Sequence, residues 1–142
     1  RVASHVKQQG FMGTTYSDED MSTTRYGDAY ESEVLKEDED AITLKLAPKA
    51  ETQTSYGHLE IDLRRDLMLP AQIRYFAPDG QHMKTEDRSD YDCDNGICTP
   101  SMMKMTDHTR NDAWTSLQVV ERKVNQGVSS SIFSVRNLER GR

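Results

Sequence analysis

The sequence predicts a mainly β fold, built as an antiparallel meander of seven strands. Apolar and polar residues alternate in successive runs, as in Leu59–Leu63, which is typical of strands with one buried and one solvated face. Short turn signals separate these runs, including Glu37–Asp40, Pro78–Gly80 and the hairpin dipeptide Asn95-Gly96. The predicted strands span residues 30–37, 41–47, 57–65, 71–77, 81–90, 97–107 and 113–124.

Length and charge limit the class of protein. The 142 residues suit one domain with its own core. A net charge of −6 at pH 7 argues against a nucleic-acid partner, because such proteins carry a basic face. No apolar run approaches the ~18 residues of a transmembrane helix. The chain begins at Arg1 rather than at methionine, so we expect a processed or excised piece, and the missing signal peptide carries no conclusion about export.

A short helix is predicted before the strands begin. Ser17 is a candidate N-cap, and Asp20 stands three residues later as the acidic partner of a capping box. Asp18 and Glu19 also place negative charge in the first turn, where it complements the helix dipole. We expect this helix to end near Gly27.

The two cysteines of the chain predict a disulfide. If Asn95 and Gly96 occupy the centre of a type I′ turn, Cys93 and Cys98 lie opposite each other, within disulfide range. A zinc site would need further ligands, for which His82 and His108 are candidates without a spaced motif. Free thiols or a redox pair remain alternatives, although a redox pair favours Cys-x-x-Cys at a helix start. A disulfide implies an oxidising compartment.

Catalytic motifs are weak in this sequence. The four histidines show no metal-binding spacing, so no metal and no cofactor is predicted. Glu60, Asp62 and Glu86 would form a carboxylate pair if their strands were neighbours, as glycoside hydrolases require. A hydrolase using these carboxylates is therefore one alternative, although nothing in their spacing selects them.

Four stretches together resemble the bacterial outer-membrane lipoprotein-sorting, or LolA-like, family. "FMGTTYSDEDM" at 11–21 resembles the family signature F-M-G-x-D-F-S-x-E-D-M. "LMLPAQIRYFAPDGQHMKT" at 67–85 is similar to a stretch with Pro, paired aromatics and Asp-Gly. "TPSMMKMTDH" at 99–108 and "SIFSVRNLERGR" at 131–142 resemble a later strand and the closing segment. Their order and spacing make the set more specific than any one motif.

The resemblance implies a fold and a function. The fold would be a strongly curved antiparallel sheet, an incomplete β-barrel, with short helices covering the open side. The chain would be a single LolA-like domain over residues 1–142 that lacks the family's N-terminal helix and first strands. The function would be that of a non-enzymatic periplasmic carrier or chaperone for lipid or lipoprotein. The alternative is an interaction module that docks on an inner-membrane exporter of the resistance-nodulation-division or MMPL type, or that senses envelope state.

The strand pattern gives candidate residues for lipid binding. Acyl chains would be buried on the concave apolar face, with methionines supplying adaptable walls. The predicted residues of this face are Leu44, Leu46, Leu59, Ile61, Leu63, Ile73, Tyr75, Met103, Met105, Leu117 and Val119.

Overall fold

One antiparallel sheet dominates the computed structural model, which describes residues 10–22 and 25–136. Its seven strands are hydrogen-bonded in chain order, so each pairs with the next. The strands are β1 (Tyr30–Glu37), β2 (Ala41–Pro48), β3 (His58–Arg64), β4 (Leu69–Phe76), β5 (His82–Asp94), β6 (Ile97–Asp107) and β7 (Ala113–Gln118). The helices are α1 (Asp18–Met21) and α2 (Tyr26–Ala29), with 3₁₀ turns at Phe11–Gly13, His108–Arg110 and Ser130–Phe133.

This architecture confirms the predicted mainly β fold with few short helices. Within the described residues the sheet does not close, because β1 and β7 stand at its two ends. Register shifts at Val34/Lys36, Asp62/Leu63 and Tyr75/Phe76 mark bulges or irregularities, and a bulge bends a strand and increases its twist.

Two strand ends differ from the prediction by more than two residues. β5 continues to Asp94 because its hairpin with β6 stays paired up to the turn. β7 ends at Gln118 rather than at 124. The adjacent pair Val119-Val120 breaks the alternation there, and Val120 is 91% exposed. The seventh strand predicted from the sequence was therefore too long.

The predicted helix start is confirmed, whereas its end is not. The Ser17 side chain accepts from the Asp20 backbone N–H, and the Asp20 carboxylate accepts from the Ser17 N–H at 2.8 Å. This completes the capping box. α1 ends at Met21 after a single turn, and a separate short helix, α2, contains Gly27.

The β5–β6 hairpin confirms the disulfide. Asn95 and Gly96 both have positive φ, at 51° and 77°, as a type I′ turn requires. Cys93 therefore pairs directly with Cys98, with 4.0 Å between their Cα atoms, and the two form a disulfide. No free cysteine remains in the chain.

The register defines two faces of the sheet. On the inner face Leu46, Leu59 and Tyr75 follow one another across β2, β3 and β4, and the helices pack on this side. On the outer face Asp62 and Gln72 pair across β3 and β4. The buried hydrophobic core lies on the inner face and consists of Tyr16, Tyr30, Leu46, Tyr56, Leu59, Ile61, Ile73, Tyr75 and Met105.

Candidate functional site

The register brings the predicted lipid-binding residues onto one face. Leu44 lies opposite Ile61, and Ile61 lies opposite Ile73 on β4. Met105 and Met103 pair with Thr115 and Leu117 across β6 and β7 on the same side. Every residue of the predicted set except Val119 belongs to a strand and alternates onto the inner face.

A segment described at residues 10–22 and 25–29 covers part of this face and contains α1 and α2. At its start, the Thr15 hydroxyl donates to the Met105 carbonyl at 2.9 Å, and the Thr15 N–H donates to the Thr115 hydroxyl at 3.1 Å. At its end, the Thr52 hydroxyl donates to the Ala29 carbonyl. The segment therefore begins over β6 and β7 and reaches the β1–β2 side, above the strands between them.

A buried carboxylate fixes α1 to the sheet. Asp20 has a fully buried side chain and accepts from the Lys84 ammonium at 2.7 Å. The Tyr56 hydroxyl donates to its other oxygen. Burial and the adjacent Asp20 charge raise the pKa of Tyr56, which therefore stays a donor. The hydrogen bonds to both carboxylate oxygens offset the free energy of burying this ion pair, because a buried charge without partners is strongly destabilising.

A second ion pair lies further along β5, on the same face. Arg88 Nη2 donates to Glu86 Oε2 at 2.9 Å, and the Tyr75 hydroxyl donates to the same oxygen at 3.1 Å. Glu86 is 3% exposed and lies opposite Ile73 and Met105. Burial and then the Glu86 charge raise the pKa of Tyr75, which keeps its proton.

An apolar groove opens beside this ion pair. Its volume is about 380 Å³, within the range of small-molecule sites, and most of its exposed lining is apolar. Leu44, Leu46, Ile61 and Leu63 from the predicted set line it. The remaining lining residues are Tyr26, Gly27, Tyr30, Ser32, Met68, Pro70 and Arg88.

The other predicted residues occupy different surroundings. Leu59 and Tyr75 line a smaller cavity of about 90 Å³ next to α1. Ile73 and Met105 have no exposed surface and are core residues. Met103 and Leu117 are half-buried on β6 and β7. Val119 is 39% exposed and follows the end of β7, so it lies apart from the groove.

The three carboxylates considered for hydrolysis do not share one site. Glu60 and Asp62 lie on the outer face, where both bind Arg74, Glu60 through Nε at 3.2 Å and Asp62 through Nη1 at 2.6 Å. Hydrogen bonds from Arg74 hold the pKa of Asp62 below its usual value. Glu86 lies on the inner face, so the sheet separates it from the other two.

Three of the four histidines form a row on the outer face, and His5 lies outside the described residues. His58 stacks on Phe76, Phe76 stacks on His82, and the His82 and His108 rings lie 4.5 Å apart. Thr85 Oγ1 lies within 3.0 Å of Nε2 of both His82 and His108. Within residues 10–22 and 25–136, no group of three or more His, Cys, Asp or Glu side chains has the arrangement of a metal site.

Sequence reasoning missed the aromatic and charged parts of the groove. Tyr26 and Tyr30 come from α2 and the start of β1, and Met68 comes from the β3–β4 turn. One signal was available: Lys84, Glu86 and Arg88 are charged at alternate positions of β5, where Glu86 and Arg88 lie opposite methionines of β6. Charges at the inward positions of a central strand indicate buried partners.

The chain belongs to a protein family by sequence. A family model described as "-like: Uncharacterized protein" matches residues 1–140. No match to the sequence was found among the curated proteins. Within the described residues, no helix combines the length and the apolar character that crossing a bilayer requires.

Solved structures show that the fold is LolA-like. A Vibrio parahaemolyticus domain named as an outer membrane lipoprotein-sorting protein aligns with a TM-score of 0.82 at 21% identity, over 97% of this chain and 59% of that one. A DUF1329 family protein from Desulfovibrio piger aligns at 0.78 and 22% identity, over 94% and 57%. A LolA superfamily protein from Nitrosomonas europaea aligns at 0.64 and 13% identity, over 92% and 60%. The chain thus spans about three fifths of each of these relatives.

Proposed function

We propose that the protein is a periplasmic carrier or chaperone that holds an acyl chain of a lipid or lipoprotein on the inner face of its sheet. The observation that carries this proposal is the apolar groove between α2 and strands β1–β4. Leu44, Leu46, Ile61 and Leu63 supply its floor, and Tyr26 and Tyr30 stand at its side. The LolA-like fold and the disulfide, which is typical of oxidising compartments, support the same proposal.

The groove suits reversible binding better than permanent burial. Each methylene removed from water contributes about 0.8 kcal/mol before ordering costs. The groove is open along one side, and Leu44 and Leu63 remain half-exposed. A bound acyl chain would cover these side chains and could dissociate through the open side of the groove. The proposed mechanism needs no catalytic residue, because release requires only that a membrane or partner compete for the chain.

Native mass spectrometry of the protein purified without detergent tests the proposal. We expect bound species whose added masses match lipids and disappear on denaturation. Leu44→Glu should abolish these lipid-bound species, because it places a charged carboxylate in the apolar groove. Lys45→Glu is the matched control, since Lys45 is the next residue and faces the outer side. A protein that carries no lipid and takes up no added acyl ligand would overturn the proposal.

Exposed apolar residues favour a second candidate, docking on an inner-membrane exporter. Trp114 is 61% exposed on β7, with the Lys104 ammonium 5.1 Å from its ring centroid. Val120, Phe133 and Val135, further along the chain, are also exposed. Crosslinking from position 114 in the native envelope tests this candidate: capture of an exporter subunit would favour it, and loss of lipid uptake in Leu44→Glu without any crosslink would favour the carrier.

A further inference from the structure

Two buried hydrogen-bond donors lack a partner among the described residues, and both belong to one neighbourhood. They are the Tyr16 hydroxyl and Arg88 Nε. Tyr16 follows Thr15, which binds the Met105 carbonyl, and Met105 pairs directly with Glu86, the partner of Arg88. Tyr16 is 3% exposed, and burial, followed by the Glu86 charge, raises the pKa of its hydroxyl, so it remains a donor. Buried donors are normally satisfied, so two unsatisfied donors in one neighbourhood indicate an acceptor that the described residues do not supply.

Arg74, on the outer face of the sheet, serves as a comparison because each of its three guanidinium nitrogens donates to a carboxylate. Arg74 holds two carboxylates at once, Glu60 at Nε and Asp62 at the two terminal nitrogens. Arg88 is similarly enclosed, with a side chain 23% exposed against 21% for Arg74. It holds one carboxylate, that of Glu86, through Nη2, and its buried Nε donor has no partner among the described residues. The nitrogen that binds a second carboxylate on Arg74 therefore binds none on Arg88 in this part of the chain.

Arg88 also lines the apolar groove together with Tyr26, whereas Arg74 lies on the outer face. A ligand whose chain lies along Leu44, Ile61 and Leu63 would bring its polar end towards the Arg88 guanidinium. We propose that the groove selects a single-chain amphiphile with a carboxylate end, a fatty-acid-like ligand, and that Arg88 binds the carboxylate. This inference rests on the proposed function and adds the chemistry of the polar end.

The charge of Glu86 favours a carboxylate over a phosphate. Arg88 and Glu86 neutralise each other, and so do Lys84 and Asp20 on the same face. A monoanion adds one negative charge that the guanidinium can share between two carboxylates, as Arg74 does. A phosphate monoester approaches two negative charges at neutral pH, and both would lie near Glu86. Like charges in such a site repel strongly because water does not screen them well.

Calorimetric titration with three ligands of equal chain length tests the proposal: decanoate, 1-decanol and decyl phosphate. We expect decanoate to bind the wild-type protein about tenfold or more tightly than decanol, since a hydrogen bond to a charged group adds that much affinity. Decyl phosphate should bind no more tightly than decanoate. Arg88→Gln should remove the preference for decanoate over decanol. Arg74→Gln, a matched arginine on the outer face, should leave that preference unchanged.

Each outcome separates this inference from the function on which it rests. Equal binding of decanoate and decanol by the wild-type protein would overturn the carboxylate assignment and leave the acyl carrier intact. Tighter binding of decyl phosphate would overturn the choice of carboxylate. Binding of none of the three would overturn both proposals. If Arg88→Gln does not fold, Arg88→Lys keeps a positive charge beside Glu86 but lacks the Nε donor, and an unchanged preference for decanoate in that variant would refute the role given to Nε.

Discussion

The buried pair Asp20–Lys84 predicts a large and specific loss of stability when its charge balance is broken. In Asp20→Asn the Lys84 ammonium, whose side chain is 10% exposed, keeps its charge without a carboxylate 2.7 Å away. One amide oxygen would also have to replace two carboxylate oxygens that now serve Ser17, Tyr56 and Lys84. Removing one member of a buried pair costs about 3–5 kcal/mol, a large part of the ~5–15 kcal/mol that stabilises a typical domain.

Urea denaturation followed by circular dichroism measures this loss. We expect Lys84→Met alone to be destabilising as well, and the double variant Asp20→Asn/Lys84→Met to be more stable than the two single losses predict. The coupling energy should then exceed about 1 kcal/mol. Glu121→Gln serves as control, because Glu121 and Lys123 are about 70% exposed and such pairs contribute about 0–1 kcal/mol. A loss in Asp20→Asn no larger than in the control would refute the role given to this pair.

Three further predictions concern other parts of the chain. Replacing Cys93 and Cys98 with serine should lower the free energy of unfolding by about 2 kcal/mol, measured by urea denaturation without reductant, because the closed loop is short. Gly57→Ala should lower the melting temperature, since its Cβ would lie 2.7 Å from backbone atoms of the β4–β5 turn, whereas Gly27→Ala meets nothing within 4 Å and should not. Burial, followed by the charge of the nearby His108, lowers the pKa of His82, so the folded state resists protonation of this side chain. The free energy of unfolding should therefore fall as the pH drops below about 6.5, the pKa of an unperturbed histidine. His82→Asn should weaken that fall in denaturation curves recorded at several pH values.

The sheet could be predicted from the sequence because its physics is local. Alternation over Leu59–Leu63 requires only that neighbouring side chains point to opposite faces, and Asn95-Gly96 encodes its turn in two residues. The same rules placed Cys93 opposite Cys98. The end of β7 was misjudged because a strand stops where its partner moves away, and β6 makes its last pair with β7 at Met102–Gln118.

The site was harder to predict because alternation identifies a face and not what covers it. Ile61 and Ile73 follow the same pattern and lie opposite each other, yet Ile61 lines the groove and Ile73 is entirely core. What covers this face includes residues 10–22 and 25–29, whose position over the sheet depends on contacts between residues distant in sequence, such as Thr15 with Thr115. Periodicity within one strand contains no information about such contacts.

The charged residues of β5 show how the pattern within one strand and the contacts around it must be considered together. A strand with Lys84, Glu86 and Arg88 on its inner face appears solvated when it is considered alone. Opposite the buried Ile73 and Met105, however, it requires buried partners, and α1 supplies a carboxylate for Lys84. Arg88 receives one carboxylate from its own strand and keeps a donor without a partner among the described residues, beside the groove. A core that needed only stability would place an apolar side chain at this position, because buried ion pairs add little to stability compared with hydrophobic residues of similar size. The ligand recognition proposed above would account for an arginine at this position, which packing of the sheet alone does not require.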